Sequence, residues 1–136
     1  MDKSAAPGRG RFICENFFML HNQIRPGEAG EDWAEMYLDV VQESKNPYGL
    51  VHGGALFTMA DCCAGRVARL DGRMYVTQDA SVQFIRNVDS GRLTARGTVL
   101  NRGRRVCLIQ VEIREPEGGL LFHGTFTMFC IREKAD

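Results

Sequence analysis

The chain predicts an α+β fold in which a strongly curved antiparallel sheet wraps around one long central helix, with a short helix ahead of it. Three observations predict this. Residues 52–70 form a run too long for an ordinary strand and apolar nearly all round. One alternating segment precedes that run and four follow it. A helix apolar on every side needs cover on every side, and a curved sheet supplies it.

Composition narrows the class. A length of 136 residues suits one domain, with residues 1–10 expected as a frayed tail and residues 11–136 as the folded unit. Apolar content of 44% with 25% charged residues argues against disorder. Seventeen basic residues balance seventeen acidic ones, so nothing pulls the chain towards nucleic acid or an anionic membrane. The basic residues are mostly arginine, which suits binding phosphate at a few points. Cys14, Cys62, Cys63, Cys107 and Cys130 are odd in number and contain no CxxC pair, so they read as reduced thiols in a cytoplasmic protein rather than a zinc site. Residues 1–12 hold no apolar h-region, so no secretory leader is expected, and with no run of eighteen apolar residues no membrane partner is expected.

The elements follow in order. Residues 11–23 read as a short helix, with Phe12, Cys14, Phe17, Phe18 and Leu20 on its apolar side and Pro26-Gly27 as its stop. Phe17, Phe18 and Met19 are expected to pack. Residues 26–32 read as a glycine-rich acidic loop. Residues 33–43 alternate, with Ala34, Met36, Leu38 and Val40 on one face, as a half-buried strand does. Residues 45–50 turn at Pro47 and Gly49, and the long helix runs over 52–70 until Asp71-Gly72. Four strands over 74–86, 92–101, 105–115 and 120–132 then read as a four-stranded meander.

The chemistry concentrates at the helix. Asp61 is its one acid, and a lone carboxylate in apolar surroundings costs several kcal/mol to bury unless paired or wet. Positions three and four residues away are Phe57, Thr58, Ala64 and Gly65, none of them cationic. Asp61 is therefore a general base or nucleophile in a cleft, or a carboxylate tied to local hydroxyls or amides. Gly53 and Gly54 start the helix, where unsatisfied N–H groups and the positive end of the dipole can hold an oxyanion. Gly53 and Asp61 lie eight residues apart, about 12 Å along the axis. One carbonyl cannot reach both on a single helix. If both act, they act from two chains related by a two-fold axis. His52 reads as an orienting residue or an acid/base, with no companions spaced for a metal. Cys62 and Cys63 are poor nucleophiles, because apolar burial raises a thiol.

The stretch NPYGLVHGGALFTMADCCAG resembles the signature N-x-x-G-x-x-H-G-G-x-x-x-x-x-x-D of PaaI-like acyl-CoA thioesterases, matching at Asn46, Gly49, His52, Gly53, Gly54 and Asp61. The resemblance extends over residues 10–131 and implies the hotdog fold. It implies that Asp61 activates water or attacks the thioester, that the Gly53 N–H polarises the carbonyl, and that His52 and Asn46 orient it. It implies a hydroxyl on the next strand that helps hold the water, here Thr77, with Ser81 as the second choice. It further implies an acyl-CoA substrate with no separate cofactor, sites between the subunits of a homodimer, and dimers paired into tetramers. Gly54 and Phe57 are expected to line the substrate, with Arg86, Arg102 and Arg104 at the CoA phosphates. Phe84-Ile85-Arg86 is followed by Asn87 where family members often carry proline. Two other readings stay open: an enoyl-thioester hydratase or dehydratase of the same fold with His52 as base, and a non-catalytic acyl-CoA binding module.

Overall fold

The computed structural model describes residues 16–133. The expected tail, Cys14 and the first five residues of the expected N-terminal helix lie outside the described residues. What remains of that helix is α1, Phe17–His21, capped by Asn16, whose Oδ1 accepts from the Met19 amide at 3.1 Å. Met19 is buried, but Phe17 and Phe18 are 73% and 65% exposed, so the expected packing of that trio holds for Met19 alone.

The chain then leaves the helix through Gln23, in the left-handed region at φ 67°, and enters a strand the sequence reading missed. This is β1, Ile24–Ala29, where a loop was expected. Pro26 and Gly27 are tolerated there because β1 is an edge strand with a register shift between Pro26 and Ala29. The Tyr37 ring fills the space over Gly27, where an added Cβ would lie 2.7 Å from its Cζ. Strand β2, Trp33–Asp39, stops earlier than expected and gives way to a 3₁₀ turn at Gln42–Ser44.

Helix α2, Gly53–Ala68, runs into a 3₁₀ turn at Arg69–Asp71 and ends at Gly72 with φ 86°. Leu56, Met59, Ala60, Cys63, Ala64, Val67 and Ala68 are buried, a spacing of three and four residues that marks one face. The opposite side is not fully covered: Gly54 and Phe57 are exposed, and Thr58, Asp61 and Cys62 are half-buried. The expectation of burial all round therefore fails in the single chain, because one sheet covers one side of a helix.

The remaining strands are β3 (Met74–Phe84), β4 (Arg92–Arg102), β5 (Val106–Arg114) and β6 (Leu120–Arg132). They join β1 and β2 in one antiparallel sheet of order β1-β2-β4-β5-β6-β3. The expected four-stranded meander is thus corrected to three strands, β4 to β6. Strand β3 crosses to the far edge and pairs with β6, setting Thr77 opposite Met128, while β2 takes the place beside β4, setting Leu38 opposite Leu93. Alternation states which face each side chain takes but not which strand lies next to it. Among the described residues, β3 has no strand on its outer side, and Val76 and Phe84 on it are 46% and 55% exposed.

Candidate active site

The turn before α2 is built by Asn46. Its Oδ1 accepts from the Tyr48 and Leu50 amides at 2.9 and 3.1 Å, and the Gly49 amide donates to its carbonyl at 3.0 Å. The Asn46 backbone N–H donates to the Leu50 carbonyl at 2.7 Å, so the side-chain Nδ2 is the group able to donate elsewhere. Lys45 and Val51 bridge across the base of the turn, which hands the chain to His52 in extended geometry.

His52 caps the helix. Its Nδ1 accepts from the Gly54 N–H at 2.8 Å, so a neutral ring carries its proton on Nε2 and presents a donor rather than a base. The Ala55 and Leu56 amides both donate to the His52 carbonyl. The Gly53 N–H is left with no acceptor among the described residues. The Phe84 ring lies over this residue, 3.5 Å from where a Cβ on Gly53 would sit. Phe84 stands edge-on to Phe122, and Phe57, one turn along the helix, packs at 5.8 Å on Phe126. The sequence offers Phe84 as a pocket wall or a core residue but does not place it over Gly53, because a strand residue does not reveal which helix residue it covers.

Two turns further on, Asp61 receives a hydrogen bond from the Thr77 hydroxyl at 2.6 Å. Thr77 projects from β3 and also touches the Met128 sulfur at 3.6 Å. The structure thus brings Asp61 and Thr77 together. Ser81 lies four residues along β3, about 13 Å from Thr77, and does not join them. Cys62, beside Asp61, is pushed up to about 11 by burial and by the Asp61 charge, and Cys63 to about 12 by burial. These thiols are inert neighbours, as expected. All four described cysteines are free.

The three candidate phosphate arginines differ. Arg86 is half-exposed and paired with Glu115. The Arg104 side chain is exposed at the β4–β5 turn, where its carbonyl accepts from Arg73 Nη1 at 2.5 Å. Arg102 has an inward task. Its Nη1 donates to the Ala68 carbonyl at 2.9 Å and to Asp71 at 2.7 Å, and its Nη2 donates to the Val67 carbonyl at 3.2 Å. It closes the C-terminus of α2 from β4. Burial would raise the Asp71 carboxyl, but hydrogen bonds from Tyr75, the Arg73 amide and the Arg73 guanidinium hold it below its ordinary 3.8.

Asp61 lines neither of two surface cavities, one of about 500 Å³ at Gln42, Lys45, Asn46, Pro47 and Gly49, the other of about 360 Å³ between α1, Ser44 and Ala55. It sits on the open side of α2. Among the described residues, no group of three His, Cys, Asp or Glu could hold a metal ion, and no helix is long and apolar enough to cross a membrane.

The chain matches the family model of the thioesterase superfamily over residues 48–122. A curated Haemophilus influenzae relative, named as an esterase, is 32% identical over 122 residues, covering 88% of each chain. The crystal structure of the H. influenzae thioesterase HI1161 superposes with a TM-score of 0.82 at 31% identity, covering 88% of this chain and 85% of that one. The hypothetical thioesterase of Streptococcus pneumoniae TIGR4, crystallised with coenzyme A, matches at a TM-score of 0.78 and 30% identity, covering 82% and 91%. Crystal structures of that streptococcal protein also exist with an aspartate or a threonine replaced by alanine, and those two positions are sixteen residues apart, the separation of Asp61 and Thr77. PaaI of Escherichia coli shares the fold, with a TM-score of 0.83 at 20% identity over 88% of this chain and 87% of that one. The family model, the curated relative and the solved thioesterase agree: the chain belongs to the thioesterase superfamily, with the hotdog fold, and is a thioester hydrolase.

Proposed function

We propose that the protein hydrolyses acyl-CoA thioesters at two equivalent sites, each shared between two subunits, with Asp61 as base or nucleophile. The observation that carries this reading is the Thr77–Asp61 hydrogen bond on the uncovered side of α2. The Thr77 hydroxyl gives its single proton to Asp61 Oδ1, so it can only accept from a water held beside the carboxylate. Asp61 then takes a proton as the water oxygen attacks the thioester carbon. The tetrahedral oxyanion is held by the Gly53 N–H, which has no acceptor among the described residues. The carbon–sulfur bond breaks, the sulfur leaves as the CoA thiol with the proton from Asp61, and the free acid remains. In the nucleophilic variant, Asp61 attacks first and expels the CoA thiolate, and water then cleaves the resulting anhydride to the free acid and the Asp61 carboxylate, its released proton balancing the thiolate.

Helix geometry supports taking the glycine from the second subunit. Gly53 and Asp61 stand about 12 Å apart along one helix, too far for one carbonyl. The unpaired outer side of β3 supports a dimer, since a second β3 continues the sheet and covers Val76 and Phe84. Pairing of such dimers into tetramers follows the resemblance. Acyl-CoA as substrate is supported by the streptococcal relative bound to coenzyme A. His52 and Asn46 present donors towards the carbonyl, Gly54 and Phe57 line the approach, and Arg86 and Arg104 remain the cations available to CoA phosphates. Arg102 is left out because its donors serve the helix end. His52 as a hydratase base is disfavoured, because its Nδ1 is occupied by the Gly54 N–H.

Thiol release from aryl, short and medium acyl-CoAs tests the reading. Asp61→Asn is expected to lower kcat by about 10²–10⁴-fold on the best substrate. Full activity in that variant refutes the assignment.

A further inference from the structure

Resting on the thioesterase reading above, we propose that Phe84 is a positioning residue for the reaction: its ring walls one side of Gly53 and keeps water from the open N–H, which then meets the thioester oxygen instead of solvent. Gly53 is half-buried, while His52 and Gly54 on either side of it are exposed. The cover is the Phe84 ring, whose Cε1, Cδ1 and Cζ lie 3.5, 3.8 and 3.9 Å from the place of a Cβ on Gly53. That place is about 2.5 Å from the residue's own nitrogen, which puts the ring within about 6 Å of the N–H nitrogen. On this side there is room for one oxygen against the N–H and none for a second layer of water.

The ring is held where it stands. Phe84 pairs with Phe122 across the β3–β6 ladder, and the two rings meet edge-on with centroids 5.3 Å apart. Phe122 is fully buried, so it is a fixed support. The backbone is pinned beyond the ring as well, because the Ile85 and Arg86 amides both donate to the Leu121 carbonyl, at 2.8 and 3.3 Å. Gly124, two residues along β6, leaves room for this support: an added Cβ there would lie 2.9 Å from Val82 Cγ1 and 3.2 Å from Phe122 Cε1. A glycine inside a strand weakens it, and a close approach of this kind is what it permits. Phe84 itself remains more than half exposed. An oxyanion donor acts most strongly where water is excluded, and a donor already bonded to water must be stripped before it can act. The benefit falls on the charged tetrahedral state more than on the neutral thioester, so it belongs to kcat rather than KM.

The test measures kcat and KM separately, by thiol release from the best acyl-CoA of an aryl, short and medium panel, with subunit mass as a control. Phe84→Ala is expected to lower kcat at least about tenfold with KM changed less than about threefold. Phe84→Leu restores an apolar wall and should keep about half of the wild-type kcat or more. Phe122→Leu leaves Phe84 in place but removes its edge-on support. It should lie between the two, and it carries the test if the alanine variant loses its fold or its dimer. Unchanged kcat in both Phe84→Ala and Phe122→Leu overturns the proposal. So does a leucine variant as impaired as the alanine one, or a rise in KM with kcat intact, which would make Phe84 a substrate contact only. Each of these leaves the thioesterase reading standing, because the wild type turns over. No thiol release by the wild type from any acyl-CoA removes that reading, and this inference with it.

Discussion

The two ends of α2 are treated in opposite ways. At the C-terminus, the Val67 and Ala68 carbonyls receive a guanidinium from β4, and the 3₁₀ turn beyond is pinned by Asp71, Tyr75 and Arg73. At the N-terminus, His52 satisfies Gly54 but leaves the Gly53 N–H open, under the edge of an exposed phenylalanine. A helix end left unsatisfied sacrifices stability and gains a preorganised donor. On the proposed mechanism one end of this helix serves folding and the other serves chemistry, and their variants should separate accordingly.

The largest expected effect is at the open end. Gly53→Pro removes the N–H while keeping a residue favoured at the first helical position. His52 already has φ −67° and ψ 136°, the extended geometry a residue before proline requires. The expected outcome is a fall in kcat of about 10²–10³-fold, with thermal stability close to wild type. A fully active Gly53→Pro protein would break the comparison. At the closed end, Arg102→Met takes a side-chain donor from the Val67 and Ala68 carbonyls and from the Asp71 carboxylate, which keeps its bonds to Tyr75 and Arg73. Urea unfolding should show a loss of about 2–3 kcal/mol. The KM for the thioester is the control, since a large rise with little loss of stability would return Arg102 to phosphate binding.

A smaller effect concerns acid. The folded Asp71 carboxyl titrates below 3.8, so its contribution is fully present above that pH and is lost as pH falls through the lower folded value. Asp71→Asn should flatten the acid limb of the stability curve below about pH 4. An acid limb unchanged in that variant would mean that other carboxylates set it.

Local physics was legible in the sequence. Alternation revealed β2 and the faces of β4 to β6, and the apolar run revealed α2 with its single acid. Strand β1 was hidden because Pro26 and Gly27 read as loop punctuation, and only the Tyr37 ring and an edge position make them acceptable in a strand. The place of β3 was hidden because its partner, β6, lies far along the chain. In the candidate site, Asp61 and the glycine pair stood out by type and spacing. Thr77 came from family resemblance, since no local pattern joins residues sixteen apart on different elements. The role of Arg102 was illegible for the same reason: its partners are the carbonyls of Val67 and Ala68, which any sequence possesses.

The central claim is that each site takes Gly53 from one subunit and Asp61 from the other. Mixing Gly53→Pro with Asp61→Asn protein, after unfolding and refolding together, tests it most directly. A shared site predicts that two nearly inactive proteins recover roughly a quarter of wild-type activity, since half the dimers are mixed and each mixed dimer holds one intact site. Recovery of nothing above the sum of the two variants, with mixed dimers demonstrated by mass, would contradict it.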